Sequence, residues 1–170
     1  MMTGVTGTPG TGKSAAADVL AARGHRVVHL GGTVAPYVIG QDQDRDTGIV
    51  DQEAWAAAFE KVDGVVEGHL AHFLPCDRVV VLRCRPDVLI ARLRSRGYTE
   101  AKCRENAEAE AVDVILVETL ERHPMETVRE LDTTTATPEE TASRIEEFIA
   151  GRLAPGAGSV DWSDYFLEAA

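Results

Sequence analysis

Eight residues near the start of the chain, Gly7 to Ser14, read GTPGTGKS and satisfy the spacing G-x-x-x-x-G-K-[ST]. A segment able to form a strand precedes them, and the helix-forming run Ser14 to Arg23 follows. Strand, glycine loop and helix start in that order predict a phosphate-binding loop. Its glycines supply backbone angles that side-chain-bearing residues resist, so that successive N–H groups converge on phosphate oxygens. Lys13 is expected on the β- and γ-phosphates and the Ser14 hydroxyl on Mg²⁺. The positive end of the helix dipole faces the same anion.

The rest of the chain alternates short apolar runs with helical patterns. RVVHL (Arg26 to Leu30), GVVE (Gly64 to Glu67), RVVVLR (Arg78 to Arg83) and Val128 to Asp132 read as strands. With the strand before the loop they make five. Gln52 to Lys61 reads as a helix with Asp51 as its N-cap, and Trp55 and Phe59, one turn apart, are assigned to the core. Pro86 to Arg96, Thr99 to Arg122 and Pro138 to Arg152 read as three more helices, the second of them long and highly charged. The expected fold is therefore α/β, a phosphate-loop domain of three layers whose central parallel five-stranded sheet is covered on both faces. Ligands then gather at the carboxyl ends of the strands. Residues 31–50 lack clean periodicity and carry Pro36, Gly40, Gly48 and QDQDRD, as a segment covering a substrate would. Residues 1–152 are expected to form one domain, with 153–170 an acidic C-terminal tail. For that tail two readings stand: docking of Trp162, Tyr165 and Phe166 on the domain or a partner, or an untethered terminus.

Composition removes several classes of function. The chain has 28 acidic residues against 17 basic and a net charge of −11, which disfavours broad attraction to nucleic acid or anionic membrane. Three cysteines without C-x-x-C spacing argue for reduced thiols and against a zinc site. Neither a leader nor a membrane span is read, so a cytoplasmic location is expected. The lysines are Lys13, Lys61 and Lys102, and arginine supplies most of the positive charge. An acidic, lysine-poor surface suits a halophilic source, since at molar salt the screening length falls to about 3 Å. The absence of an N-K-x-D element disfavours a GTPase switch. Arg92 and Arg96 lie four apart, on one helical face just before Gly97, and are read as parts of a closing lid; Arg94 and Arg104 are read as solvated charges.

Four pieces of the chain, GTPGTGKS, EGHLAHFLP (Glu67 to Pro75), RLRSRGYTEAKCREN (Arg92 to Asn106) and LDTTTATPEE (Leu131 to Glu140), resemble the adenylate kinase isoenzyme 6 family in its archaeal form. The resemblance spans residues 1–152. It implies a nucleoside monophosphate kinase that interconverts ATP plus AMP with two ADP. It also implies ATPase activity and a part in small ribosomal subunit maturation through a ribosomal protein partner. Carried onto this chain, it places ATP on Gly10, Gly12, Lys13, Ser14, Ala15 and Arg96. The monophosphate-binding segment falls at about 29–50 and the lid at about 95–105. Lys13, Glu67, His69 and Arg96 become the catalytic set, with Ser14 and, through water, Glu67 on Mg²⁺. Glu67 stands where many relatives carry aspartate, and Ala15 replaces a hydroxyl residue. Val34 to Gly40 (VAPYVIG) lacks the arginine of eukaryotic relatives, a place Arg45 is a candidate to fill. An alternative reading is an ATP-gated assembly factor that binds a small-subunit ribosomal protein, with AMP phosphorylation incidental.

Overall fold

The computed structural model describes residues 1–42 and 47–165. In chain order the elements are β1 (Met2–Thr6), α1 (Lys13–Ala22), β2 (Val27–His29), β3 (Val38–Asp42), β4 (Thr47–Val50), α2 (Gln52–Ala58) and β5 (Gly64–Glu67). They continue with β6 (Arg78–Arg83), α3 (Pro86–Ser95), α4 (Glu100–Ala111), α5 (Val114–Arg122), β7 (Val128–Asp132) and α6 (Pro138–Ile149). Five strands form one sheet in the order β2-β5-β1-β6-β7, every pair parallel, as the sequence pattern predicts. β1 is central, and register sets Val5 beside Glu67 and Glu67 beside His29, so the carboxyl ends of three strands meet where the phosphate loop begins.

The apolar run of β6 shows why both faces of the sheet are covered. Val80 and Leu82 point to one face, where they pack with Val5, Leu20, Ile145 and Phe148 beneath α1 and α6. Val79 and Val81 point to the other, against Leu116 of α5. Two-residue alternation thus appears in packing although the sequence is continuously apolar, as expected for a buried parallel strand. Trp55 is buried with Met2, Leu30 and Leu74, and Phe59 packs against that cluster, so the core assignment of the aromatic pair holds. Helix α6 begins with a full capping box: Thr137 Oγ1 accepts from the Glu140 N–H at 3.1 Å, and the Glu140 carboxylate accepts from the Thr137 N–H at 2.8 Å.

Two expectations change, and of the two readings left open for the tail its described part follows the docked one. The single helix read over Thr99 to Arg122 breaks at Asp113, whose φ of 59° is left-handed. Asp113 turns there to put its carboxylate on the Arg83 guanidinium, a contact 30 residues away that helical periodicity does not reveal. The segment 31–50 is more ordered in pattern than expected, with 3-10 turns at Leu30–Gly32 and Ala35–Tyr37 and then an antiparallel hairpin of β3 and β4. A register shift between Val38 and Gly40 breaks the alternation that would have disclosed those strands. Arg45 lies outside the described residues. The described part of the tail docks on β7: Gly156 accepts from the Glu130 N–H at 2.8 Å and donates to the Val128 carbonyl at 3.0 Å. Trp162 is half-buried and its indole Nε1 is enclosed, while Phe166 lies outside the described residues. No helix among the described residues is long and apolar enough to cross a membrane.

Leu82→Ala removes buried side chain from the centre of the sheet. It should destabilise by about 2–5 kcal/mol with an unchanged denaturant m-value, read from urea unfolding.

Candidate functional site

The loop between β1 and α1 is shaped by what its glycines lack. A Cβ on Gly7, at φ 142°, would lie 2.4 Å from the Leu82 carbonyl oxygen. Gly12 caps α1 at φ 95°, again in left-handed backbone. Lys13 opens the helix and folds back beneath the loop, where its Nζ donates to the Gly7 carbonyl at 2.8 Å and the Thr8 carbonyl at 3.0 Å. Burial lowers the Lys13 pKa to about 8, against the opposing pull of Glu67 and Glu110.

Glu67, at the end of β5, is buried and held on both sides. Its Oε1 accepts from the Ser14 hydroxyl at 3.1 Å, and its Oε2 lies 2.9 Å from His29 Nδ1. A hydroxyl beside a carboxylate is a hard-oxygen donor set of the kind Mg²⁺ takes when substrate phosphates supply further ligands. Ser14 and Glu67 are thus brought together as the sequence implied. His69 lies in the wall of the same cavity, its pKa lowered by burial first and by the Lys13 charge second, so its ring is neutral at neutral pH. Its backbone is fixed by Thr6, whose Oγ1 donates to the His69 carbonyl at 3.2 Å.

Two cavities flank the loop. One, of about 360 Å³, has walls that include Lys13, His29, Glu67, His69, Arg96 and Tyr98. The other, of about 290 Å³, lies over Gly12 and Ala15 and is bounded by Arg92, Arg96, Thr133 and Pro138. Both include Gly10 and Arg96. Arg96 is exposed at the end of α3, and no side-chain hydrogen bond ties it to another described residue. Arg92, expected beside it in a lid, does something else. Its Nη2 donates to the carbonyls of Thr133 at 2.8 Å and Thr134 at 3.2 Å, and its Nη1 reaches the Gly10 carbonyl at 3.5 Å. Arg92 therefore braces the cavity wall against the loop, because three carbonyls converge on it from segments its own helix pattern does not show. Arg94 pairs with Glu100 across the turn between α3 and α4.

Sequence reasoning reached His29 and Tyr98 only as members of the 29–50 and 95–105 segments and gave neither a role of its own. His29 could have been found from register, since it ends the strand adjacent to the one that ends in Glu67. Tyr98 follows the helix-ending Gly97 and carries no local signal.

Because Lys13 binds its proton less tightly when folded than when unfolded, the unfolded chain holds more protons between about pH 8 and its ordinary value of 10.5. Without nucleotide, the stability of the protein relative to Lys13→Met should therefore rise as pH increases through that window, measured by urea unfolding at each pH.

A family model described as an AAA domain matches residues 4–113. A protein of Natronomonas pharaonis named putative adenylate kinase is 45% identical over 97% of this chain and 99% of its own length. Proteins of the same name are 43% identical in Methanothermobacter thermautotrophicus, covering 96% of this chain and 98% of their own, and 43% identical in Halobacterium salinarum, covering 97% and 99%. Among solved structures, a gluconokinase from Sinorhizobium meliloti superposes with a TM-score of 0.56 at 17% identity, covering 89% of this chain and 96% of that one. A sugar kinase from a Janibacter species does so with a TM-score of 0.55 at 18% identity, covering 88% and 94%. At such identities these two show a shared fold.

Proposed function

Since the chain belongs to the family of archaeal proteins named putative adenylate kinase, we propose that it moves the γ-phosphoryl group of Mg-ATP to a nucleoside monophosphate, AMP first. The observation that carries this reading is the pair of cavities that meet over Gly10 and Arg96. Donor nucleotide fits the side bounded by Arg92, Thr133 and Pro138, with its phosphates over the loop. The acceptor fits the side bounded by His29, Leu30, Val34, His69 and Tyr98. The transferring group would then lie between them, over Lys13 and beneath Arg96, in the line that phosphoryl transfer requires. Mg²⁺, when bound, neutralises charge on the β- and γ-phosphates; Ser14 and Glu67 are the residues that would hold it, Glu67 through water.

Each side chain has a separate task. Lys13 offers an ammonium already stripped of water, so its interaction with phosphate oxygen is strong. Ala15 contributes its backbone N–H alone. Arg96, free of other partners among the described residues, swings over the phosphates and excludes water, as a lid requires. Hydrolysis of ATP is the companion activity we infer. Among the described residues of the acceptor cavity the cations are Lys13 and Arg96, with no further arginine dedicated to the acceptor phosphate. An acceptor held loosely leaves room for water, which Glu67 and neutral His69 would orient. A ribosomal protein partner and a part in small-subunit maturation belong to the same reading, drawn from the resemblance. The net charge of −11 suits a basic partner. We also infer a cytoplasmic protein adapted to salt, whose thermal midpoint rises between low and molar KCl, as a melting series would register.

ADP formation from Mg-ATP at molar KCl, with and without AMP, tests the reading. A rise dependent on AMP, with two ADP formed per ATP consumed, is expected. Lys13→Ala should lower it by about 100-fold or more while the circular dichroism spectrum is kept. Undiminished turnover by the folded variant refutes the assignment, and slow hydrolysis indifferent to AMP leaves an ATPase.

A further inference from the structure

Arg83 ends β6 with 1% of its side chain exposed, and each guanidinium nitrogen is engaged by an acidic residue. Nε donates to Glu110 Oε1 at 2.7 Å, and Nη1 to Glu130 Oε1 at 2.5 Å. Nη2 donates to the Glu110 carbonyl at 3.0 Å and to the Asp113 carboxylate. Glu110 is 2% exposed and spends its second oxygen on the phosphate loop, 2.5 Å from Thr8 Oγ1. Thr8 is one of the two residues whose carbonyls hold Lys13 Nζ, and its carbonyl also accepts from Thr11 Oγ1 at 2.9 Å. At the far end, Glu130 Oε2 accepts from the N–H groups of Ser159 at 2.8 Å and Val160 at 3.2 Å. Ser159 Oγ adds a third bond at 3.2 Å.

These contacts form one unbroken path from the C-terminal tail through Glu130, Arg83 and Glu110 to Thr8 and the seat of Lys13. Its buried members are one guanidinium and two carboxylates, with Asp113 at the rim, so the path carries surplus negative charge toward the loop. The Glu110 charge favours the charged form of Lys13. Glu110 also ends α4, the helix whose first turn follows the Gly97–Tyr98 turn next to Arg96. One helix thus joins the lid at its start to the loop at its end.

We propose that Glu110 is a positioning residue for the phosphate loop, and that the tail segment Ser159–Val160 keeps it in place through Glu130 and Arg83. Fixed at its hydroxyl, Thr8 presents its carbonyl at one position, and the loop is held in shape before nucleotide arrives. The tail, outside both cavities, becomes part of the nucleotide site by this route. The proposal deepens the kinase reading and rests on it for its kinetic arm alone.

Thr8→Val removes the hydroxyl with little change of shape, Glu110→Gln changes the charge, and Ser159→Pro removes both the N–H and the hydroxyl that Ser159 gives to Glu130. Binding of a fluorescent ADP analogue, kcat and both KM values are measured below each variant's melting temperature. Thr8→Val should lower kcat by about 10- to 100-fold with the acceptor KM nearly unchanged. Ser159→Pro should lower kcat in the same sense, and the double variant should lose little beyond Thr8→Val alone. Losses that multiply, or variants within twofold of the parent, overturn the proposal. If Glu110→Gln does not fold, the Thr8 and Ser159 pair still decides. If the parent transfers nothing to AMP, the kinase reading fails and the binding arm decides: analogue affinity weakened in Thr8→Val and Ser159→Pro supports the positioning path, and unchanged affinity refutes it.

Discussion

A buried ammonium awaiting an anion is the constraint on which this site depends. Lys13 is 8% exposed and has no carboxylate within hydrogen-bond reach among the described residues; it rests instead on the Gly7 and Thr8 carbonyls. Such burial is costly, as its lowered pKa records, and the loop geometry makes it tolerable by turning carbonyls inward where a Cβ on Gly7 would collide with the backbone of β6. Glu67 and Glu110 supply negative charge from opposite sides at a distance. Neither bonds the ammonium directly, and the two carbonyls use two of its three N–H groups, so the third is left for a phosphate oxygen.

The surrounding fold can be understood as what holds those two carboxylates in place. Glu67 reaches its position because β5 lies beside β1 in register, with Val5 and Glu67 as partners, and His29 fixes its orientation from β2. Glu110 reaches its position because α4 ends over β6 and Arg83 receives it there. Parallel strand order and the break in the helix at Asp113 are therefore as necessary to the loop as its glycines.

What was legible in the sequence follows the range of the interaction that decides each feature. The loop, the five strands and the Asp51 cap of α2 depend on neighbours within a few residues, and their residue types announce them. The division between α4 and α5 depends on Asp113 meeting Arg83, and the role of Arg92 on carbonyls from residues 10, 133 and 134. In both cases a helix-compatible residue was claimed by a partner far along the chain. Ser14 and Glu67, which the resemblance put on one metal ion, do meet in the structure, because β5 ends beside β1 where the loop begins. His29 was given no role of its own since a histidine at the end of a three-residue strand looks like any other until register is known. The tail followed the same rule: composition left docking and an untethered terminus both open, while the docking of its described part rests on backbone groups that composition does not describe.

The sides proposed for donor and acceptor also differ in how firmly they are built. The donor cavity is bounded by Arg92 with its carbonyl contacts, by Thr133, which donates to the Thr11 carbonyl at 2.8 Å, and by the capped start of α6. Those walls are tied to the sheet and to the loop. The acceptor cavity is bounded by Leu30, Gly31 and Val34 from a 3-10 segment, by His69 on a short turn, and by half-exposed Tyr98. Leu30 to Val34, His69 and Tyr98 lie outside the main sheet, although His29 and Glu67 of the same cavity end two of its strands. Local stability tends to be lowest where a protein must close around its ligand. On the proposed reading, discrimination between acceptors would fall to Leu30, Val34 and Tyr98, beside the residues assigned to phosphate, Lys13, Ser14, Glu67 and Arg96, which line the same cavity. On that reading, changes at Leu30, Val34 or Tyr98 would alter which molecule receives the phosphoryl group more than the machinery that delivers it.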